Sequence, residues 1–407
     1  MLISEIAVTG TRLSASVTWE QNLRPQQTLW FDTPQAVPPA SAAPFLVGCA
    51  LPAMRDGEKR VAIEGAVDLE LLENVTKALT YVNTACGYEN PPPALEVGSI
   101  GAPPQLGAPL AGFLSCGVDS LGMLRANHLW YPETHPRHIR AGIAIKGFDC
   151  VNQAQYAQLL KHAHAVGAAA GLEVLEADTN IAEVAQWPHP TRPFGVFSPM
   201  EYHGCILAAV AHAFAGRIAG ASIASSGWKP EYAFQKTFGS HPLLDPLYGC
   251  ASLRIYHEDG TVRRLEKLRL VAEWPAGLEN LLVCSRWERG EQNCGRCEKC
   301  IRTKVEFLAL GKLEASPFRG AAATPEEIRS LRLDGPIGES SWEELVEPLA
   351  AAGRSDLSAA ARAIVEAYQR RKQLAAVKSF AKDFDRRYLG GLAVRANRFA
   401  RRASLHS

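Results

Sequence analysis

This chain has no strong charge of one sign. Its 43 Lys and Arg nearly balance 42 Asp and Glu, a formal net charge of +1. That balance excludes a global field for gathering nucleic acid or an acidic membrane. No apolar run approaches the ~18 residues that a membrane-spanning helix needs. Internal repeats and low-complexity tracts are missing, so solenoid and disordered architectures drop out. The opening residues, Met1-Leu2-Ile3-Ser4-Glu5-Ile6, lack a basic segment followed by a long apolar core, so no export signal is expected. The ten cysteines are therefore expected to be metal ligands or free thiols in a cytoplasmic setting, not a disulfide framework.

The 407 residues are 47% hydrophobic and 21% charged, the balance of a globular protein with two or three domains. Residues 1–105 read as an α+β domain. Ile3 to Val8 and Leu13 to Thr18 flank Thr9-Gly10-Thr11 as a hairpin would, and Leu29-Trp30-Phe31 suits a further strand. Asp68 to Leu79 has helical spacing behind an acidic cap. Pro91-Pro92-Pro93 and the Gly/Pro-rich stretch Gly101 to Pro109 close this part.

From 106 to 315 strand and helix patterns alternate. Expected strands lie at Leu110 to Leu114, Ile139 to Ile145, Leu172 to Leu175 and Ala221 to Ser225. Helices are expected from Leu121, from Gln153 to Ala170, and from Tyr202 to Ala219. Such alternation predicts a doubly wound parallel sheet, whose ligands collect at the carboxyl ends of the strands. Residues 316–407 read as helical, with starts at Pro325 and Trp342 and a long amphipathic stretch from Asp356 to Phe384. Arginines at 386, 387, 395, 398, 401 and 402 follow among apolar residues. They suit a solvated helix end or a docking segment better than a nucleic-acid or membrane contact.

Between the first of those strands and its helix stands Ser115-Cys116-Gly117-Val118-Asp119-Ser120. A polar loop at a helix start aims backbone N–H groups and hydroxyls into one concavity, a seat for phosphate oxygens. No Lys follows the glycine, which excludes the Walker loop. Downstream, Cys284, Cys294, Cys297 and Cys300 form two overlapping Cys-x-x-Cys units after a more distant thiol. Four thiolates suit a tetrahedral zinc ion with no open position, hence a structural one. A [4Fe–4S] cluster also takes four cysteines.

The loop resembles the Ser-Gly-Gly-x-Asp-Ser motif of the PP-loop ATP pyrophosphatases, with Cys116 at the first glycine position. Loop and cysteines together, with Arg302 after the last thiol, are similar to the 7-cyano-7-deazaguanine synthase (QueC, ExsB-like) branch. The likeness covers residues 106–315 and implies a HUP-like fold, ATP and Mg²⁺ as ligands, and a zinc-stapled loop. It implies cleavage of ATP to AMP and pyrophosphate, so that a small-molecule carboxylate or amide is adenylated and then attacked by ammonia, an amine or a sulfur donor. Ser115 to Ser120 would bind the nucleotide, Asp119 would position Mg²⁺ or order the loop, and Asp119 and Ser120 are expected catalytic residues. Lys146, at the end of an expected strand, joins them by its place near the same cleft, where it could touch phosphate or ribose or be a solvated strand-end lysine. The segment Glu176 to Asn180 would meet the ligand cleft. A relative with a different substrate is expected, since residues 1–105 and 316–407 have no counterpart in that enzyme. Thiolation of tRNA and a non-catalytic nucleotide-binding scaffold are the alternatives; nucleic acid is not expected as a partner. Association of identical chains is left open.

Cys116 has two readings. At a helix N-terminus its thiol could serve as a nucleophile or persulfide carrier. The plainer expectation is a small residue at a position that needs no positive φ. His241 and Asp245, in a proline-bracketed loop, could form an acid/base pair or a rigid connector. Lys267 aligns weakly with a lysine of the family. His162 and His164, at i and i+2 on a helix, point apart and are not expected to share a metal.

Overall fold

Short apolar strands buried on both faces, such as Leu110–Phe113, form the middle of a large sheet. The computed structural model describes residues 1–21, 24–86, 90–101, 108–148, 152–185, 202–227, 239–284, 292–318, 322–333 and 335–388. Among these residues ten strands form one sheet: β1 (Leu2–Thr9), β2 (Arg12–Thr18), β3 (Gln27–Asp32), β4 (Arg60–Asp68), β5 (Ala94–Gly101), β6 (Leu110–Phe113), β7 (Ile139–Lys146), β8 (Glu173–Thr179), β9 (Gly220–Ala224) and β10 (Arg254–Glu258). Their order is β10-β9-β6-β7-β8-β3-β2-β1-β4-β5. Most neighbours run parallel; the antiparallel pairs all involve β2 or β3. The fold is mixed α/β around a large, mostly parallel sheet.

Two apolar layers flank the sheet. Phe113 and Ile143 join one core with α1 (Ala43–Asp56), α2 (Leu69–Cys86) and α6 (His203–Ala213). Leu114 and Ala144 join the other with α3 (Val118–Trp130), α4 (Gln153–Ala170), α7 (Arg264–Ala272), α8 (Pro275–Glu279) and α9 (Glu298–Ala309). The short α5 (Ile181–Ala185) follows β8. Local signals set the ends of these helices. Asn152 caps α4 by accepting from the Gln155 N–H at 2.9 Å, and Gly171 ends it at φ 66°. Asp68 accepts from the Glu70 N–H at 2.8 Å to start α2. The expected helix from Tyr202 to Ala219 stops at Ala213 because Gly216, at φ 91°, turns the chain toward β9.

The division expected near residue 105 does not separate compact units. Met1–Ala321 is one unit and Ala322–Ser407 the other. The reason is the β3–β8 pairing, which aligns Phe31 with Thr179 and Asp32 with Asp178. The Thr179 hydroxyl donates to the Trp30 carbonyl at 2.7 Å, and the Asn180 amide donates to the Thr28 carbonyl at 2.7 Å and accepts from the Trp30 N–H at 3.0 Å. Part of the segment expected at the ligand cleft thus joins the two halves of the sheet instead.

The second unit holds α10 (Pro325–Ser330), α11 (Pro336–Glu343), α12 (Val346–Ala351) and α13 (Ser355–Tyr388). Thr324 and Glu327 form a reciprocal capping box at α10. Gly335 at φ 104° and Pro336 begin α11 well before Trp342, so that residue ends a helix rather than starting one and is wholly buried. Leu357, Ala360, Ala361, Ile364 and Val365 make the first half of α13 the buried half.

Two substitutions probe this framework. Gly147, at φ 89°, follows β7, and a Cβ there would lie 1.7 Å from the Thr179 carbonyl oxygen. Gly147→Ala is expected to cost about 3 kcal/mol or more, read as a fall in the urea midpoint at unchanged slope. His212 lies wholly inside α6, where burial pulls its pKa down to about 4 despite a 2.8 Å hydrogen bond to the Tyr248 carbonyl. Unfolded histidine titrates near ~6.5, so the unfolded chain takes up the proton first as pH falls. Stability contributed by neutral His212 is intact above that value and shrinks by about 3 kcal/mol on approach to pH ~4. Urea titrations should lose this slope in His212→Gln.

Candidate functional site

The loop from 115 to 120 leaves β6, which lies between β9 and β7 near the middle of the parallel strands. Gly117 is extended at the N-cap of α3 (φ −79°, ψ 169°), and no side chain caps the helix. The first N–H groups of α3 therefore keep their capacity to meet an anion. The Ser115 and Ser120 hydroxyls are 3.2 Å apart, and Ser120 also donates to the Gly117 carbonyl at 3.2 Å. Asp119 stands in the first turn.

Cys116 departs from the sequence expectation. Its φ is +56° and it is wholly buried. The position does demand the left-handed conformation that glycine adopts without strain, and the residue belongs to the apolar core that also holds Leu121, Leu282 and Cys284. Cys116→Gly would relieve about 1–2 kcal/mol of backbone strain and lose a small buried side chain of similar worth. The melting temperature is expected to move by only a few degrees; a fall of about ten degrees or more would mean that packing of the thiol outweighs the strain of its backbone.

Beside Asp119 the structure places residues from α7. Lys267 Nζ is 3.7 Å from Asp119 Oδ1, and Arg264 Nη1 is 3.6 Å from Oδ2. Lys267 is 1% exposed, and its ammonium donates to the Ser225 carbonyl at the end of β9. Gly122 on α3 allows this approach, because a Cβ there would sit 2.8 Å from that of Lys267. Arg264 also donates from Nε to Glu306 at 2.9 Å. Burial works against its charge, but Glu306 and Asp119 hold the guanidinium above its ordinary range. Asp119 Oδ1 is buried and makes no hydrogen bond among the described residues. A carboxylate oxygen in that state fits a Mg²⁺ ion arriving with a nucleotide, since Mg²⁺ is commonly held by one or two carboxylates plus phosphates.

Sequence reasoning caught Lys267 only faintly and missed Arg264 and Glu306. Their one signal was charge among apolar residues on short helices. Lys146 does reach the carboxyl ends of the strands, but as the ion-pair partner of Asp178, 2.8 Å away across β7 and β8. His241 and Asp245 do not pair through their side chains. Asp245 is wholly buried and accepts from Ser240 Oγ at 2.6 Å, from the His241 N–H at 3.2 Å and from His257 Nδ1 at 2.8 Å. The His241 ring accepts from the Leu243 N–H instead. His257 lies on β10, a strand the sequence pattern did not reveal. Its Nε2 is buried and makes no hydrogen bond among the described residues. His162 and His164 go to separate partners, Asn280 and Glu176.

Cys284, Cys294, Cys297 and Cys300 converge as expected, with all four sulfurs within 4.8 Å of one another. Among the described residues they are the one group of three or more His, Cys, Asp or Glu able to share an ion. Cys294 and Cys300 stand 3.8 Å apart, Cys284 and Cys297 3.9 Å. A tetrahedron of ~2.3 Å Zn–S bonds has edges of roughly 3.8 Å, whereas a disulfide needs about 2.05 Å. Gly295, at φ 69°, makes the turn, and the backbone N–H of Cys297 donates to Cys294 Sγ at 3.3 Å. Hydrogen bonding from Cys300 outweighs burial and pulls the Cys297 thiol down to about 5. The four cysteines could hold a metal ion such as zinc.

The cysteine cluster and the loop are physically joined. The Leu282 N–H donates to the Cys116 carbonyl at 2.8 Å, two residues before Cys284. Helix α9, which carries Cys300, also presents Arg302 to Glu298 at 3.3 Å and Glu306 to Arg264 at 2.9 Å. A chain of charges therefore runs from the cysteine module to Asp119. The likeness to known proteins rests on these residues alone, for no family model, curated protein or solved structure matches the chain.

Proposed function

We propose that this chain is an ATP-dependent adenylating enzyme of the PP-loop type, related to the 7-cyano-7-deazaguanine synthase branch. One arrangement carries the reading: an uncapped helix start and two serine hydroxyls face Asp119, Lys267 and Arg264 at the strand ends. The order β10-β9-β6-β7-β8 supports a doubly wound topology, with the loop at the point where the chain changes direction across the sheet.

In this reading the N–H groups of Gly117 to Ser120 and the hydroxyls of Ser115 and Ser120 grip the β- and γ-phosphates of ATP. Mg²⁺ bound with the nucleotide supplies positive charge at the phosphates, and Asp119 Oδ1 is the oxygen that would hold it. A carboxylate or amide oxygen of the substrate attacks the α-phosphorus in line, and the bond to the pyrophosphate oxygen breaks with its electron pair. Lys267 and Arg264 stabilise the charge that builds on that leaving group. Ammonia, an amine or a sulfur donor then displaces AMP. The four cysteines hold zinc as a structural ion that sets the position of α9.

The experiment is exchange of labelled pyrophosphate into ATP in the presence of Mg²⁺ and a panel of small carboxylic acids and amides. Exchange that depends on one member identifies the adenylated group. Tight ATP binding without exchange would favour a nucleotide-binding scaffold, and tRNA retained through purification would favour thiolation.

A further inference from the structure

Helix α13 is built in two halves of different character. Its first half is buried within the second unit, whereas no residue from Glu366 to Val377 is buried. From Leu374 onward five apolar side chains lie open, although Asp385 on the same stretch is buried. Leu374, Val377, Phe380, Phe384 and Tyr388 are 60%, 65%, 73%, 49% and 65% exposed. Their spacings of three, three, four and four residues place them along one helix face, and Phe384 and Tyr388 rest against each other with ring centres 4.9 Å apart. Isolated exposed apolar residues need no explanation, but five on one face make a docking surface.

Charge selects the occupant. Residues 369–388 contain seven Lys or Arg against two Asp, in a chain whose overall charge is almost nil. Through residue 407, outside the described region from 389 onward, the tally is eleven against two. A second copy of the same helix would bring like charges together. RNA would match the charge but offer nothing to cover Leu374 and Val377. An apolar helix face within a stretch rich in Lys and Arg is the composition of a helix lying in the headgroup region of an anionic bilayer. Among the described residues no helix is long and apolar enough to cross a membrane, so the contact would be a surface one.

We infer that the second half of α13, from Leu374 to Tyr388, docks this protein on anionic lipid surfaces. Flotation of the full chain with vesicles of phosphatidylcholine alone, or with about a third phosphatidylserine, tests it. Binding to the anionic vesicles should exceed binding to the neutral ones at least about tenfold and weaken as salt rises. Val377→Asp with Phe380→Asp should abolish it, and Arg370→Gln with Lys372→Gln should reduce it about tenfold. These side chains are exposed, so unchanged melting curves would establish that folding is intact. Equal recovery with both vesicle types, or binding indifferent to either pair of substitutions, would overturn the inference. A dimer in light scattering that Val377→Asp with Phe380→Asp turns into monomer would also overturn it, as would binding to RNA in preference to the anionic vesicles.

Discussion

Asp119→Asn is expected to lower the formation of AMP and pyrophosphate from Mg·ATP by about 100- to 1000-fold, while zinc stays bound at the four cysteines. The substitution keeps the shape of the side chain but removes the charge opposite Lys267 and Arg264. It also removes the buried carboxylate oxygen that has no hydrogen bond among the described residues, the atom suited to Mg²⁺. Lys267, 1% exposed, then loses its closest carboxylate, so some stability goes too, on the order of 1–3 kcal/mol. Metal content by atomic spectroscopy and product formation by chromatography separate the two effects. Loss of zinc together with activity would mean that Asp119 supports the fold rather than the chemistry.

Cys297→Ser is expected to have the opposite profile. Zinc content should fall from one ion per chain to nearly none, and the first unit should lose several kcal/mol of stability. That loss is a fraction of the ~10–16 kcal/mol that zinc binding contributes in small zinc-dependent domains. Cys297 is the N-cap of α9 and a neighbour of Cys284, Cys294 and Cys300. Its loss loosens α9 and, through Glu306 and Arg264, the setting of Asp119. Turnover should therefore decline as a consequence of unfolding and recover in part at low temperature. A variant that kept full stability without metal would contradict the stapling role.

How much of this was legible in the sequence follows from how local each signal is. The hairpin of β1 and β2, the strand β7 and the helix α4 were readable because periodicity, caps and turn glycines all lie within a few residues. The cysteine cluster was readable because Cys-x-x-Cys spacing is itself local. The union of the first hundred residues with the rest of the sheet was not, since it rests on Trp30 meeting Thr179 and Asn180 about 150 positions away. The site divides in the same way. Ser115 to Ser120 announced itself as a motif, but Arg264 and Glu306 join it only through packing of α7 and α9. Cys116 misled for a different reason: a cysteine letter gives no hint that its backbone is left-handed.

The most direct test of the adenylation account is the identity of the products from Mg·ATP, followed by phosphorus NMR with the acid or amide that supports pyrophosphate exchange. The account predicts AMP and pyrophosphate in equal amounts, with no ADP. Accumulation of ADP and inorganic phosphate would contradict it.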